Sequence, residues 1–116
     1  MAQTSTGSKV VWQSEAQDPE RSATVKEALR EVIDPEIGLN IIELGLVRDL
    51  AFQADGKTWL KMILTTPFCP YGPAMLEQTR NKVTSVTEAP TTIEMGMELW
   101  DPSMMEEGAG ADWGLF

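Results

Sequence analysis

The order in which the hydrophobic period changes along the middle of this chain leaves few folds open to it. Leu46 to Phe52 and Thr58 to Leu64 are apolar-rich runs of strand length on either side of Asp55-Gly56. That dipeptide supplies the left-handed backbone of a tight turn, so the two runs predict an antiparallel hairpin. From about Pro73 to Val86 the period becomes helical, with Met75, Leu76, Thr79, Val83 and Val86 on one face. Proline suits the first turn of such a helix, where its missing N–H costs nothing. Pro90 closes the connection, and Thr92 to Leu99 then alternates. Ile93, Met95, Met97 and Leu99 fall on one side of that strand, and Thr92, Glu94, Gly96 and Glu98 on the other. A strand–helix–strand step crosses over right-handed and pairs its two strands in parallel.

Upstream, Thr24-Val25-Lys26-Glu27 has the form of a capping box, and Val25, Ala28, Leu29, Val32 and Ile33 follow at helical spacing. Asp34-Pro35 stops that helix, because a residue before proline avoids the helical region. The expected fold is therefore α+β, a small mixed three-stranded sheet with helices on one face in the order α-β-β-α-β. Between the first helix and the hairpin, Glu36 to Gly45 is too apolar for a free linker and is predicted to fold over the core. Asn40 and Glu43 within it are read as satisfying its backbone. Alternation places Met95 and Met97 in the core, so the methionines from Met95 to Met105 are read as packing residues rather than soft metal ligands.

A chain of 116 residues holds one domain with a single modest core. Residues 1–20 are polar and predict a flexible N-terminal extension, although the patch Val10-Val11-Trp12 leaves open an extra strand packed on the domain. The domain is expected over residues 21–103. Residues 104–116 form a C-terminal tail whose glycines oppose a long helix and whose aromatic end suggests docking. No apolar run approaches the roughly 20 residues needed to span a bilayer. The N-terminus has no basic region followed by an apolar stretch, and the expected compartment is the cytoplasm. A net charge of −9, from 18 acidic and 9 basic residues, repels phosphate backbones. It points away from nucleic acid, and either aids solubility or attracts basic protein partners.

Cys69 is the only cysteine, and there is no histidine. It sits in Thr65-Thr66-Pro67-Phe68-Cys69-Pro70-Tyr71-Gly72-Pro73, where the strand pattern gives way to the helical one. Backbone N–H groups at a helix start bias a thiol toward the thiolate. Without histidine there is no Cys-His nucleophilic pair, and one thiol cannot make a four-ligand zinc or iron–sulfur site within one chain. Any chemistry at Cys69 therefore takes its missing parts from another molecule.

Three segments together resemble one family. They are Asp34-Pro35-Glu36 with Asn40-Ile41-Ile42-Glu43-Leu44-Gly45-Leu46-Val47, then Thr65-Thr66-Pro67-Phe68-Cys69-Pro70, then Trp100-Asp101-Pro102. In this order and at this spacing they resemble the SufT/PaaD-like iron–sulfur assembly family, related to the targeting subunit of the eukaryotic cytosolic iron–sulfur machinery. The resemblance covers about residues 22 to 105. It implies the alpha/beta domain shared with the cluster-carrying domain of NifU-like scaffolds, and a part in maturing or repairing iron–sulfur proteins or in assembling metal-dependent multicomponent enzymes. The family's reactive cysteine falls on Cys69, and its acidic motif on Asp34 and Glu36. After Trp100-Asp101-Pro102 the chain departs from the family pattern. Ser103-Met104-Met105 and a glycine-rich stretch stand where members often carry a second proline–tryptophan and a regular helix.

The function so implied is an accessory factor, not an enzyme, that carries or targets clusters to client apoproteins through Cys69. Its cargo is an iron–sulfur cluster held transiently, either between two chains of a homodimer, with glutathione-like thiols completing the set, or on the way to a client, since each cluster needs about four ligands. Other iron–sulfur assembly proteins are implied partners. The alternatives stay open at each residue. Cys69 also suits a buried packing position. Asp34 suits an Asp-Pro turn, where its side chain bonds nearby backbone donors. Asp34, Glu36 and Thr66 are possible neighbours of the site; a carboxylate there would raise a thiol pKa, so neither acid is assigned as an activator. Thr65 and Thr66 are read as finishing the strand. The rival function is a cluster-free adaptor that recruits clients, with a thiol enzyme as the third class.

Overall fold

The hairpin forms between β1 (Val47–Phe52) and β2 (Thr58–Met62), antiparallel, with Leu50 opposite Leu60 and Phe52 opposite Thr58. The structure, a computed structural model, describes residues 11–66 and 70–106. Gly56 supplies the turn at φ +90°, and its N–H donates to the Gln53 carbonyl at 3.0 Å. α4 (Gly72–Thr87) buries Met75, Thr79 and Val83 and leads into β3 (Thr91–Met95). β3 lies parallel to β2, with Leu60 opposite Ile93 and Met62 opposite Met95, and the sheet order is β1-β2-β3. α2 (Pro19–Leu29) packs on α4, and its Val25 and Leu29 share one core with Leu50, Leu60, Met62 and Val83. Each such side chain contributes about 1.5–3 kcal/mol through burial. The expected α+β order and mixed three-stranded sheet are borne out.

The apolar segment before the hairpin folds onto the core, as its composition predicts, but it does so by forming a helical turn. α3 (Ile41–Leu44) buries Ile41, Ile42 and Leu44. Asn40 Oδ1 accepts from the Ile42 and Glu43 N–H groups at 3.0 and 2.8 Å, and Glu43 Oε1 accepts from the Asn40 N–H at 3.1 Å. This reciprocal pairing satisfies donors that a four-residue helix would otherwise leave bare. Gly45, at φ +75°, ends it.

Both ends of the described chain depart from expectation. α2 is not capped by Thr24; it opens at Pro19, and the Asp18 carboxylate accepts from the Arg21 N–H at 3.1 Å. Ser22 on its buried face pairs with Ser14 through their hydroxyls at 2.7 Å, so half of the helix hides without an apolar stripe. It also ends early, at Leu29, and leaves Ile33 nearly half exposed. Residues 12–20, expected within a flexible extension, belong to the packed body. Trp12 is buried, and its indole N–H donates to the Val47 carbonyl at 3.1 Å. α1 (Gln13–Gln17) follows it and lies along β1. The Gln17 amide donates to the Phe52 carbonyl at 3.0 Å and accepts from the Phe52 N–H at 2.8 Å. The Trp12 end of the apolar patch thus docks at the edge of the sheet through a helix and side chains rather than as an added strand.

At the other end, residues 100–106 form a strap across α3. The Trp100 indole donates to the Leu44 carbonyl at 2.7 Å, Met105 is buried, and the Glu106 N–H donates to the Glu43 carbonyl at 2.8 Å. Arg30 donates to both carboxylate oxygens of Glu106, at 2.9 and 2.8 Å. The tail beyond Glu106 lies outside the described residues. The Arg30 hydrogen bonds hold the Glu106 carboxyl below the usual glutamate range. Its stabilisation is therefore fully present above about pH 4.3 and is lost as the pH falls through the lower folded value. Glu106→Gln is expected to flatten that part of the acid limb in urea titrations between about pH 5 and 3. An unchanged acid limb would mean that the strap is not held by this pair.

Candidate functional site

The sheet opens at one end. Gly96 donates its N–H to the Met62 carbonyl at 2.8 Å, which is the last rung between β2 and the chain that leaves β3. Beyond it the two segments part. Leu64-Thr65-Thr66 leads toward α4, while Met97 to Trp100 crosses to the strap. The gap between them is an open cleft of about 470 Å³, lined among others by Leu64, Thr65, Thr66, Met97, Leu99 and Trp100. Parallel strands leave such openings at their carboxyl ends, because the following loops diverge to different layers.

Asp34 stands behind this cleft and is fully buried. Its Oδ1 accepts from the Glu36 and Ile37 N–H groups at 2.9 and 3.3 Å, which fixes the Asp-Pro turn. Its Oδ2 accepts from the Thr65 hydroxyl at 3.1 Å. The acidic motif is thereby tied to the segment that carries the cysteine four residues on. Buried carboxylates persist when their oxygens are bonded in this way. Of the residues singled out from the sequence, Thr66 lines the cleft, and Asp34 is joined to that lining through Thr65. Glu36 is exposed on the turn and does not line the cleft. Cys69 lies outside the described residues. Thr65 reads in the sequence only as the end of a strand; a threonine beside Thr66 carries no local sign that a carboxylate 31 residues away will accept its proton.

The methionine reading is corrected. Met95 and Met97 do not lie in the core: Met95 is 43% exposed, Met97 93% and Leu99 77%. β3 ends at Met95 because β2 turns away after Met62, so the alternating pattern continues with nothing above it to be buried against. Glu98 holds this segment down on the opposite face. Its carboxylate lies 3.6 Å from Lys61 Nζ and 3.7 Å from Arg48 Nε. Its own backbone N–H, with those two cations, keeps it below the usual glutamate range. Arg48 also donates to the Gly45 carbonyl at 2.9 Å. Among the described residues no group of three or more histidine, cysteine, aspartate or glutamate side chains converges as a metal site.

Residues 22–95 match the sequence model of the family described as iron–sulfur cluster assembly protein. The chain belongs to that family. Among its relatives is a Bacillus subtilis Fe-S protein maturation auxiliary factor, YitW, 36% identical over 65% of this chain and 72% of its own. Another is the Staphylococcus aureus Fe-S protein maturation auxiliary factor SufT, 35% identical over 61% of this chain and 78% of its own. The fold is also that of a DUF59 domain from Bacillus anthracis, with a TM-score of 0.76 at 22% identity over 87% of this chain and 98% of that one. The SufT-like relationship expected from the three segments is borne out. As a member of the iron–sulfur cluster assembly family, the chain carries Asp34, Glu36, Thr66 and Cys69 inside the matched span, whereas the strap from Trp100 to Glu106 lies beyond it.

Proposed function

We propose that this protein is an accessory factor in iron–sulfur cluster assembly that carries or targets clusters to client apoproteins through Cys69. The observation that carries the reading is the hydrogen bond from the Thr65 hydroxyl to the buried Asp34 carboxylate, which joins the acidic motif to the cysteine-bearing segment inside the span matched by the family. The names of the relatives, as maturation auxiliary factors, support the same role. Ligand number supports a carrier over a permanent redox centre. A cluster needs about four ligands, and this chain offers one thiol and no imidazole. Cargo held so sparsely exchanges readily, and a homodimer that contributes two thiols completes half of the set. Client apoproteins and other assembly proteins supply the rest. The role is auxiliary and cytoplasmic, without turnover of its own. Among the described residues no helix is long and apolar enough to cross a membrane.

A second reading, a cluster-free adaptor, is favoured by the exposed Met97 and Leu99 beside the cleft, which suit the recruitment of clients without any metal. Anaerobic reconstitution with iron and sulfide separates the two. The carrier binds iron and sulfide, passes them to an apo-ferredoxin, and loses both abilities on Cys69→Ser. Wild-type protein that takes up no iron would instead establish the adaptor.

A further inference from the structure

The cleft at the open end of the sheet has apolar walls. Leu64 and Trp100 line it together with Met95, Met97 and Leu99, and the last three are exposed. Exposed apolar side chains gathered on one surface in this way mark a place that something covers. The end of the described chain lies close by. The Trp100 indole is bonded to the carbonyl of Leu44, and the Glu106 N–H to that of Glu43, the residue before it. Neighbouring Cα atoms are about 3.8 Å apart, so the chain leaves Glu106 within roughly 10 Å of the Trp100 ring at the cleft.

The residues that follow divide by composition. Glu107-Gly108-Ala109-Gly110-Ala111-Asp112 carries no apolar side chain larger than alanine, whereas Trp113-Gly114-Leu115-Phe116 holds three large ones. A six-residue link reaches at most about 20 Å when extended, enough to bring Trp113 from Glu106 to the cleft. We infer that the cleft is covered by the chain's own segment from Trp113 to Phe116, tethered through residues 107–112. The segment supplies two rings and a leucine to a surface of two thioethers, two leucines and an indole, and sulfur–aromatic contacts are favourable. A short tether gives its occupant an effective concentration in the millimolar range. A client that uses Met97 and Leu99 therefore reaches them by displacing the tail. The inference needs neither Cys69 nor a cluster, so its failure leaves the carrier reading untouched.

The methionine methyl resonances of the full chain test it. In the wild type the Met97 methyl is expected to be displaced by the rings of the tail. In a Trp113→Ser, Phe116→Ser variant it should move toward the position of a solvent-exposed methionine. The Met62 and Met75 methyls, buried in the core, should stay where they are and so report that the variant is folded. The displacement should survive dilution, because the tail acts on its own chain. A Met97 methyl at the same position in both proteins would overturn the proposal. A displacement that vanishes on dilution would overturn it as well, since the cleft would then hold the tail of a second copy.

Discussion

Asp34→Ala is expected to destabilise the protein by about 2–4 kcal/mol, a large loss for a single polar substitution. The change strips the acceptor from the Glu36 N–H and from the Thr65 hydroxyl, while the Ile37 N–H keeps the Asp34 backbone carbonyl at 3.2 Å. A stranded donor costs about 1–3 kcal/mol when buried, and these two partly buried ones fall in the lower part of that range. Asp34→Asn keeps an acceptor for the turn and should cost less, about 1–2 kcal/mol, because the Thr65 hydroxyl can rotate to accept from the new amide. Thr65→Val should fall in the same range. Urea denaturation of the two single variants and the double variant gives the coupling between them, which should exceed about 0.5 kcal/mol for groups in direct contact. A coupling near zero, or an Asp34→Ala loss under about 1 kcal/mol, would show that the turn and the cysteine-bearing segment are not joined through this carboxylate.

Gly45→Ala is expected to cost about 2–4 kcal/mol for two separable reasons. The residue sits at φ +75°, where an L side chain loses about 1–2 kcal/mol. A Cβ there would also collide with the Met104 carbonyl oxygen, backbone that cannot simply rotate away. The strap must therefore lift. Hydrogen exchange should show it, with the Glu106 amide, bonded to Glu43, losing protection ahead of the sheet. Gly56→Ala is the control, since nothing lies within 4 Å of its Cβ and only the backbone term applies. Equal losses at the two glycines would mean that the strap does not press on α3.

These two sites also mark how far local pattern reaches. The hairpin around Asp55-Gly56, the helix from Gly72 and the backbone-satisfying role of Asn40 and Glu43 all depend on partners within a few residues, and each is legible in the sequence. The start of α2 is not, even though Asp18-Pro19 is a local signal, because the buried face there is made of Ser14 and Ser22 rather than apolar side chains. A serine pair eight residues apart leaves no trace in a hydrophobic period.

Residue identity and order are enough to set the sequence of elements and the strand pairing. Those follow from backbone preference and side-chain period, which act over short distances. What each apolar stripe meets is a property of the folded chain alone. Trp12 closes one edge of the sheet, while Met97 and Leu99, with the same alternation as a core strand, stay exposed because β2 turns away beneath them. Period records which side chains share a face; burial depends on whether another element, distant in the chain, arrives to cover it.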